Sequence, residues 1–555
     1  MRIKLFDKGQ MLWGLLLLSL SSLFIQWFVF DYILPTKLLL PWLIYASFLL
    51  VLRPYFAAVF VFLLEALLLR IHLMKLSYTN TALEASDIFG WKQALFLKSY
   101  TDFLIPLLAI GMLLCFFKGF TIRKRQFIFL PILLLVTTSC MQERRPTESS
   151  VNLVNYLFRI AKVHYVDWNF ATNIKENGVL NHLFLTLPMG QIPAKGKVRL
   201  GERKVATVHN SKDMPDVFLV LCESCYTSTS AKFVTPMADL EKVGFARSTM
   251  ISPVYGGMTA EAEFEVLTGL PSQRYKGIDF QYFAESYSPH AMALPRVFAE
   301  NGYATFSSHN NRAFFWRRDV VHPKFGFEKS IFLEQMNWPD MSIVPKDDIL
   351  FKNALDQYKA NLIENKKTFS FLITIHTHGP YREVNNDGGE ADYKAKLQES
   401  LSEFLSFQAR VHGLAQKNNR PVLFLIFGDH KPAMTISFYK KHVFSDDFFT
   451  SKGEKSDGFR FSSLNDSQRL TYGRVPLFVS AFNTKNLDLA ESIAREIHDK
   501  PIYCLPGVLS ESIPVYHEFY GYLKDVCKRN SEELVDKRVI DTVFPEEIYG
   551  NLLFD

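Results

Sequence analysis

Three apolar stretches in the second half of the chain each run into residues that can do chemistry. DVFLVL (216–221) ends on Cys222 and Glu223. FSFLITI (369–375) ends on His376, Thr377 and His378, and PVLFLIF (421–427) on Gly428, Asp429 and His430. Short, near-continuous apolar runs of this kind read as buried strands of a mainly parallel sheet. In open α/β sheets, ligands bind beyond the carboxyl ends of the strands, so these residues would converge on one edge. Glu223, Asp429 and His430 make an O/O/N donor set suited to a divalent ion such as Mn²⁺, Zn²⁺ or Mg²⁺. Taken singly, each reads as a turn or capping residue; recurrence at strand ends is what favours a site.

A second segment, SPVYGGMTAEAEFEVLTGL (252–270), places Gly256 and Gly257 in a turn. A helix would start at about Thr259 and stop at Gly269. Thr259 then has two readings. It is a plain N-cap, or it is a nucleophile whose alkoxide the helix dipole and a metal ion favour, with the first-turn amides free to hold phosphate oxygens. Periodicity leaves both open.

Five motifs stand in order along the chain: LCES with Glu223, GGMTAEAEFEV with Thr259, SHNNRAFFWRRD (308–319), HTHGPY (376–381) and FGDHKP (427–432). Over about residues 206–520 they resemble the lipoteichoic acid synthase and phosphoglycerol transferase branch of the alkaline phosphatase/sulfatase superfamily. The resemblance implies that Glu223, Thr259, Asp429 and His430 bind one metal, manganese in most of this branch, and that Thr259 is the nucleophile. It implies a head-group pocket of His309, Trp316, Arg318 and His378. The side chains suit those roles: Arg318 offers a fork to phosphate, the histidines can donate or carry a proton, and Trp316 offers a flat wall. Arg317 reads as a solvated or structural arginine.

Some features depart from the family pattern. Cys222 and Cys225 flank the glutamate as a C-x-x-C, read here as structural because no second pair has zinc-ligand spacing. The helical segment 392–410 offers no evident counterpart to an aspartate that many relatives carry there. Lys431 could contact phosphate or only a surface carboxylate.

By resemblance, the reaction would move glycerol phosphate from phosphatidylglycerol to an envelope glycan or polyglycerolphosphate, releasing diacylglycerol. A phosphoethanolamine transferase acting on lipid A or a surface sugar would use the same metal set; the W-x-R segment with H-N-N upstream is closer to the phosphoglycerol branch. A formylglycine sulfatase needs a C/S-x-P-x-R context that Thr259 lacks. A non-catalytic lipid- or glycan-binding member is the remaining alternative, and the intact ligand set argues against it.

The first 141 residues must anchor such an enzyme. Apolar runs at 11–30, 38–52, 54–69, 103–117 and 127–141 suggest five membrane helices, although only the first reaches the ~20 residues that a span requires. Basic residues at 2–8, at Arg53 and at 118–125 put the N-terminus in the cytoplasm and everything after about residue 142 outside, on a bacterial plasma membrane. Residues 70–100 could lie along the membrane surface. Glu65, inside the third run, is either functional or near enough to a helix end to reach water.

The expected organisation is a transmembrane domain (1–141), a juxtamembrane connector (142–205) with an amphipathic stretch at 151–163, a sulfatase-like α/β domain (206–525) with a mainly parallel sheet flanked by helices, and a C-terminal extension (526–555). The net charge of +6, without a basic stripe, excludes nucleic acid as a partner. Six cysteines are too few for a disulfide scaffold, but outside the cytoplasm a Cys504–Cys527 bridge is feasible.

Overall fold

A computed structural model describes residues 8–31, 35–79, 104–122, 124–141, 170–186, 192–198, 214–228, 231–272, 286–313, 315–338, 344–383, 387–453 and 459–555, with isolated positions between them. Most of the amphipathic stretch 151–163 and of 70–100 lies outside the described residues. The chain divides into two compact units, Met1–Gln191 and Ile192–Asp555, each described by itself.

The first unit is helical. Helices α1 (Lys8–Phe30), α2 (Leu39–Phe48), α3 (Pro54–Thr79), α4 (Leu104–Gly119) and α5 (Leu130–Met141) fall on the five apolar runs, followed by α6 (Phe170–Asn177) and α7 (Val179–Thr186). Among the described residues, only two helical segments are long and apolar enough to cross a membrane, Gly9–Phe30 and Pro54–Met74, so the expected five spans become two. The reason is visible at α2. It stops at Phe48 because the chain turns there, and residues 51–53 bond to the end of α4 (Thr121 N to Val51 O, 2.8 Å; Arg53 N to Gly119 O, 3.0 Å). A 10-residue helix cannot cover the ~30 Å hydrocarbon layer. The two long helices suit membrane anchoring. Glu65 sits mid-helix on α3 and does not reach water: it is 1% exposed and accepts bonds from Ser22 Oγ and from Gln26 Nε2 (2.5 Å).

The second unit is built on an eight-stranded sheet. Its strands are β1 (Asp216–Cys222), β2 (Ala246–Ile251), β3 (Tyr303–His309), β4 (Lys329–Phe332), β5 (Lys367–Ile373), β6 (Val422–Gly428), β9 (Arg474–Phe482) and β10 (Lys500–Pro501), in the order β10-β2-β9-β6-β1-β5-β3-β4. Two short strands, β7 (Phe449–Ser451) and β8 (Arg460–Phe461), pair separately. All seven positions of β1 are buried, as a central strand covered on both faces requires. Each of its Phe and Leu side chains contributes roughly 1.5–3 kcal/mol by leaving water. At the amino edge, Asp216 draws three segments together. It accepts from Arg420 Nη2 (2.9 Å), Thr368 N (2.8 Å) and the Tyr358 hydroxyl (3.1 Å).

The sheet is mixed rather than uniformly parallel. β9, the RVPLFVSAF segment, runs antiparallel to both β6 and β2. A parallel strand would need a crossover back to the amino edge. Here Lys431, just past the end of β6, is bonded to the start of β9. Its buried ammonium donates to the carbonyls of Thr471 (2.8 Å), Tyr472 (2.9 Å) and Arg474 (2.6 Å), so the next strand starts where β6 ended. Lys431 therefore meets neither of its two expected partners, phosphate or a surface carboxylate.

Candidate active site

The loops leaving β1 and β6 are locked against each other. Cys222 and Cys225 form a disulfide around Glu223 and Ser224. Gly428, the last residue of β6, packs so closely on this turn that a Cβ would stand 2.0 Å from the carbonyl oxygen of Cys225. Asp429 Oδ1 accepts from the amides of Ser224 (2.7 Å) and His430 (2.8 Å). Ser224 Oγ donates to Glu223 Oε1 (2.8 Å), and Thr374 Oγ1 accepts from the amide of Glu223 (2.9 Å). Two backbone amides thus orient the Asp429 carboxylate, and the Ser224 hydroxyl that of Glu223.

Helix α8 (Thr259–Thr268) begins and ends where its glycines and threonine predict, with Gly269 left-handed at its C-cap (φ 78°). Its first side chain enters the cluster: Thr259 Oγ1 donates to Asp429 Oδ2 at 2.7 Å and lies 3.2 Å from Glu223 Oε2. The sequence-predicted set Glu223, Thr259, Asp429 and His430 is therefore brought together, all four 9% exposed or less.

The residues fit a cation. Ligand atoms of Glu223, Asp429 and His430 lie within 4.8 Å of one another. His430 Nδ1 faces the Lys431 carbonyl at 2.9 Å, which assigns that nitrogen as the donor. Its other nitrogen, Nε2, then presents a lone pair. That atom is buried without a hydrogen-bond partner among the described residues, 3.2 Å from Asp429 Oδ2 and 3.7 Å from Glu223 Oε1. A lone pair aimed at two carboxylates is repulsive until a positive ion sits among them. Burial and the adjacent Glu223 push the Asp429 carboxyl up to about 6. Burial also opposes ionisation of Glu223, yet its carboxyl lies below the ordinary range, with bonds from Ser224 and Thr259 favouring the charged form.

The four expected head-group residues divide. His309, the last residue of β3, is 2% exposed, with Nδ1 at 2.8 Å from the carbonyl of Ile373. Burial and then the Arg318 charge hold its imidazole well below its ordinary range, hence neutral. His378 is exposed. Arg318 begins helix α10 (Arg318–Lys324; α9 is Leu294–Glu300) and is 1% exposed. Trp316 is buried against Phe315. Trp316 (φ 58°) and Arg317 (φ 54°) are both left-handed, a conformation that costs non-glycine residues roughly 1–3 kcal/mol each and concentrates at functional sites. Arg317 faces Asp319 at 4.0 Å.

Sequence reasoning missed three supports. Asp347, in a loop with no motif, joins the β3 and β5 ends by accepting from Asn310 Nδ2 (2.9 Å), Ile375 N (3.0 Å) and Ser400 Oγ (2.6 Å). Glu263 and His322 pack behind Arg318. The one available signal was the four-residue spacing of Glu263 from Thr259, which puts both on one helix face.

Strand ends thus gather two carboxylates, an imidazole and a helix-terminal hydroxyl into one buried cluster whose donor atoms could hold a metal ion. Residues 215–449, somewhat under half of the chain, match the family model described as Sulfatase. A Rhizobium meliloti (strain 1021) protein named putative cyclic beta-1,2-glucan modification protein is 28% identical over 295 residues, 48% of this chain and 44% of its own length. The match thus spans less than half of that relative. Among solved structures, the lipoteichoic acid synthase LtaP from Listeria monocytogenes is 19% identical with a TM-score of 0.37, covering 48% of this chain and 66% of its own. The Streptococcus pyogenes phosphoglycerol transferase GacH, solved with sn-glycerol-1-phosphate, is 17% identical with a TM-score of 0.44, covering 62% and 86%.

Proposed function

We propose that this chain is a membrane phosphoglycerol transferase. It moves glycerol phosphate from phosphatidylglycerol to an envelope glycan or polyglycerolphosphate acceptor through Thr259. One observation carries the reading: the Thr259 hydroxyl, at a helix N-terminus, contacts the same two carboxylates that form the cation cradle with His430. Glu223, Thr259, Asp429 and His430 would hold one divalent ion, Mn²⁺ by family resemblance and Zn²⁺ or Mg²⁺ by donor type. Such an ion, when bound, lowers the pKa of the hydroxyl and polarises the phosphoryl oxygen.

The chain's own groups do the rest. Thr259 Oγ attacks phosphorus, the bond to the diacylglycerol oxygen breaks, and diacylglycerol leaves with a proton. The glycerol phosphate stays on Thr259 as an ester. An acceptor hydroxyl attacks that phosphorus, the bond to the Thr259 oxygen breaks, and the acceptor's proton passes to that oxygen, with a histidine as candidate carrier. Arg318 offsets charge on the phosphoryl oxygens. The glycan-modifying name of the Rhizobium relative agrees with a glycan acceptor. Two disulfides, Cys222–Cys225 and Cys504–Cys527, suit an oxidising compartment outside a bacterial plasma membrane, to which the N-terminal apolar helices would tether the domain.

The test is release of labelled diacylglycerol by the purified full chain in mixed micelles, with and without Mn²⁺. We expect release from phosphatidylglycerol, its loss in Thr259→Ala, and little release from phosphatidylethanolamine. Release from phosphatidylethanolamine alone reassigns the cargo. No release from either lipid overturns the transferase reading.

A further inference from the structure

Thr259 opens helix α8, and Glu263 follows one turn later. Four residues of α-helix put them about 6 Å apart along the axis, on one face. Glu263 is completely buried, and its carboxylate has a different partner on each oxygen. Oε2 accepts from Arg318 Nε and Nη2, both at 2.8 Å. Oε1 accepts from His322 Nε2 at 2.7 Å. His322 Nδ1 meets Ser307 Oγ at 2.8 Å, two residues before His309 on β3. Burial keeps His322 below its ordinary range, and its Nε2 donates to the Glu263 carboxylate. Burial opposes charge on Glu263 as well, but Arg318 and His322 outweigh it and the carboxylate is ionised.

One edge of the Arg318 guanidinium is therefore spent on Glu263. Nη1 points the other way, with the Phe315 carbonyl 3.4 Å off. A buried ion pair is a poor stabiliser, because an apolar pair of similar volume does as well without the desolvation cost. What this pair supplies is direction. It also follows directly on the two left-handed residues, Trp316 and Arg317.

We propose that Glu263 is a positioning residue for the transfer reaction, clamping the Arg318 guanidinium to the helix that carries the nucleophile. Arginine and hydroxyl are then held at one fixed offset, and His322 holds the clamp from behind. The inference rests on the roles given above to Thr259 and Arg318.

A double-mutant cycle tests it, with kcat, KM for phosphatidylglycerol and bound Mn²⁺ measured on the full chain for Glu263→Gln, Arg318→Gln and the pair. We expect Arg318→Gln to lower kcat about 100-fold, the order seen when one transition-state donor is removed. Glu263→Gln should approach that loss, and the double variant should be no slower than Arg318→Gln alone. KM and metal content should stay near wild type. Multiplying losses, or a near-normal Glu263→Gln, overturn the clamp. A normal Arg318→Gln overturns it together with the role of Arg318, while a dead Thr259→Ala would still stand. Should Glu263→Gln fail to fold, Glu263→Asp keeps the charge and shortens the reach by one methylene. It should fold, bind Mn²⁺ and lose about tenfold or more in kcat, and full activity there overturns the proposal.

Discussion

Thr259 donates its hydroxyl proton to Oδ2 of Asp429 at 2.7 Å, while Oδ1 of that carboxylate is already taken by two backbone amides. One oxygen of Asp429 is structural and the other is left for chemistry. A cation drawn into the cradle need not compete with the bonds that hold the loops together.

Metal binding should therefore stabilise the fold without rebuilding it. Mn²⁺ at about 100 times its dissociation constant should raise the unfolding free energy by about 2.7 kcal/mol. The stabilisation should disappear on chelation and in His430→Ala, which removes the unpartnered Nε2. Denaturant titrations of the full chain with and without Mn²⁺ measure it; an undiminished shift in His430→Ala would place the ion elsewhere.

Glu265 gives a pH signature away from the cradle. Burial, and to a smaller extent Glu261, push its carboxyl from 4.5 up to about 8, despite bonds from the Ser272 amide (2.9 Å) and hydroxyl (3.1 Å) and a backbone bond at Tyr503. Between those values the folded chain keeps this proton and the unfolded chain has released it. Stability therefore falls as pH rises through the window, and the loss is complete above about 8. Glu265→Gln should flatten the profile by on the order of 1.4 kcal/mol per pH unit in mid-window. Denaturant midpoints of the two proteins from pH ~5 to ~8 decide it, and parallel profiles contradict it.

Gly428 and Gly257 should respond oppositely to the same change. A Cβ at Gly428 meets the Cys225 carbonyl oxygen at 2.0 Å, whereas one at Gly257 meets nothing within 4 Å. Gly428→Ala should cost about 3 kcal/mol by forcing β6 off the Glu223 turn. Gly257→Ala should change stability by less than about 1 kcal/mol. Equal unfolding midpoints for the two variants would be inconsistent with this packing.

The strand ends were legible because each reactive residue follows an unbroken apolar run, and α8 because glycines bracket it. The direction of β9 was not legible. RVPLFVSAF announces burial on both faces, but direction depends on where residues 431–473 run, which the Lys431 clamp on three carbonyls decides. Helix lengths in the N-terminal unit were misjudged for a similar reason: hydropathy cannot see the bonds between residues 51–53 and 119–121 that end α2. Glu263 was not singled out at all, since its importance lies in Arg318, 55 positions away. Asp347 carries no local pattern at all; its partners are scattered from Asn310 to Ser400.

The strand order β6-β1-β5-β3 sets the reactive residues in a row along one edge. With neighbouring strands about 4.8 Å apart, the row is roughly 14 Å long. Asp429, His430 and Glu223 occupy the β6 and β1 end, and His378 and His309 the β5 and β3 end. The cation cradle and the two histidines thus lie at opposite ends of the row, and a mutagenic library confined to residues 376–381 would vary one end while leaving the cradle's own ligands in place.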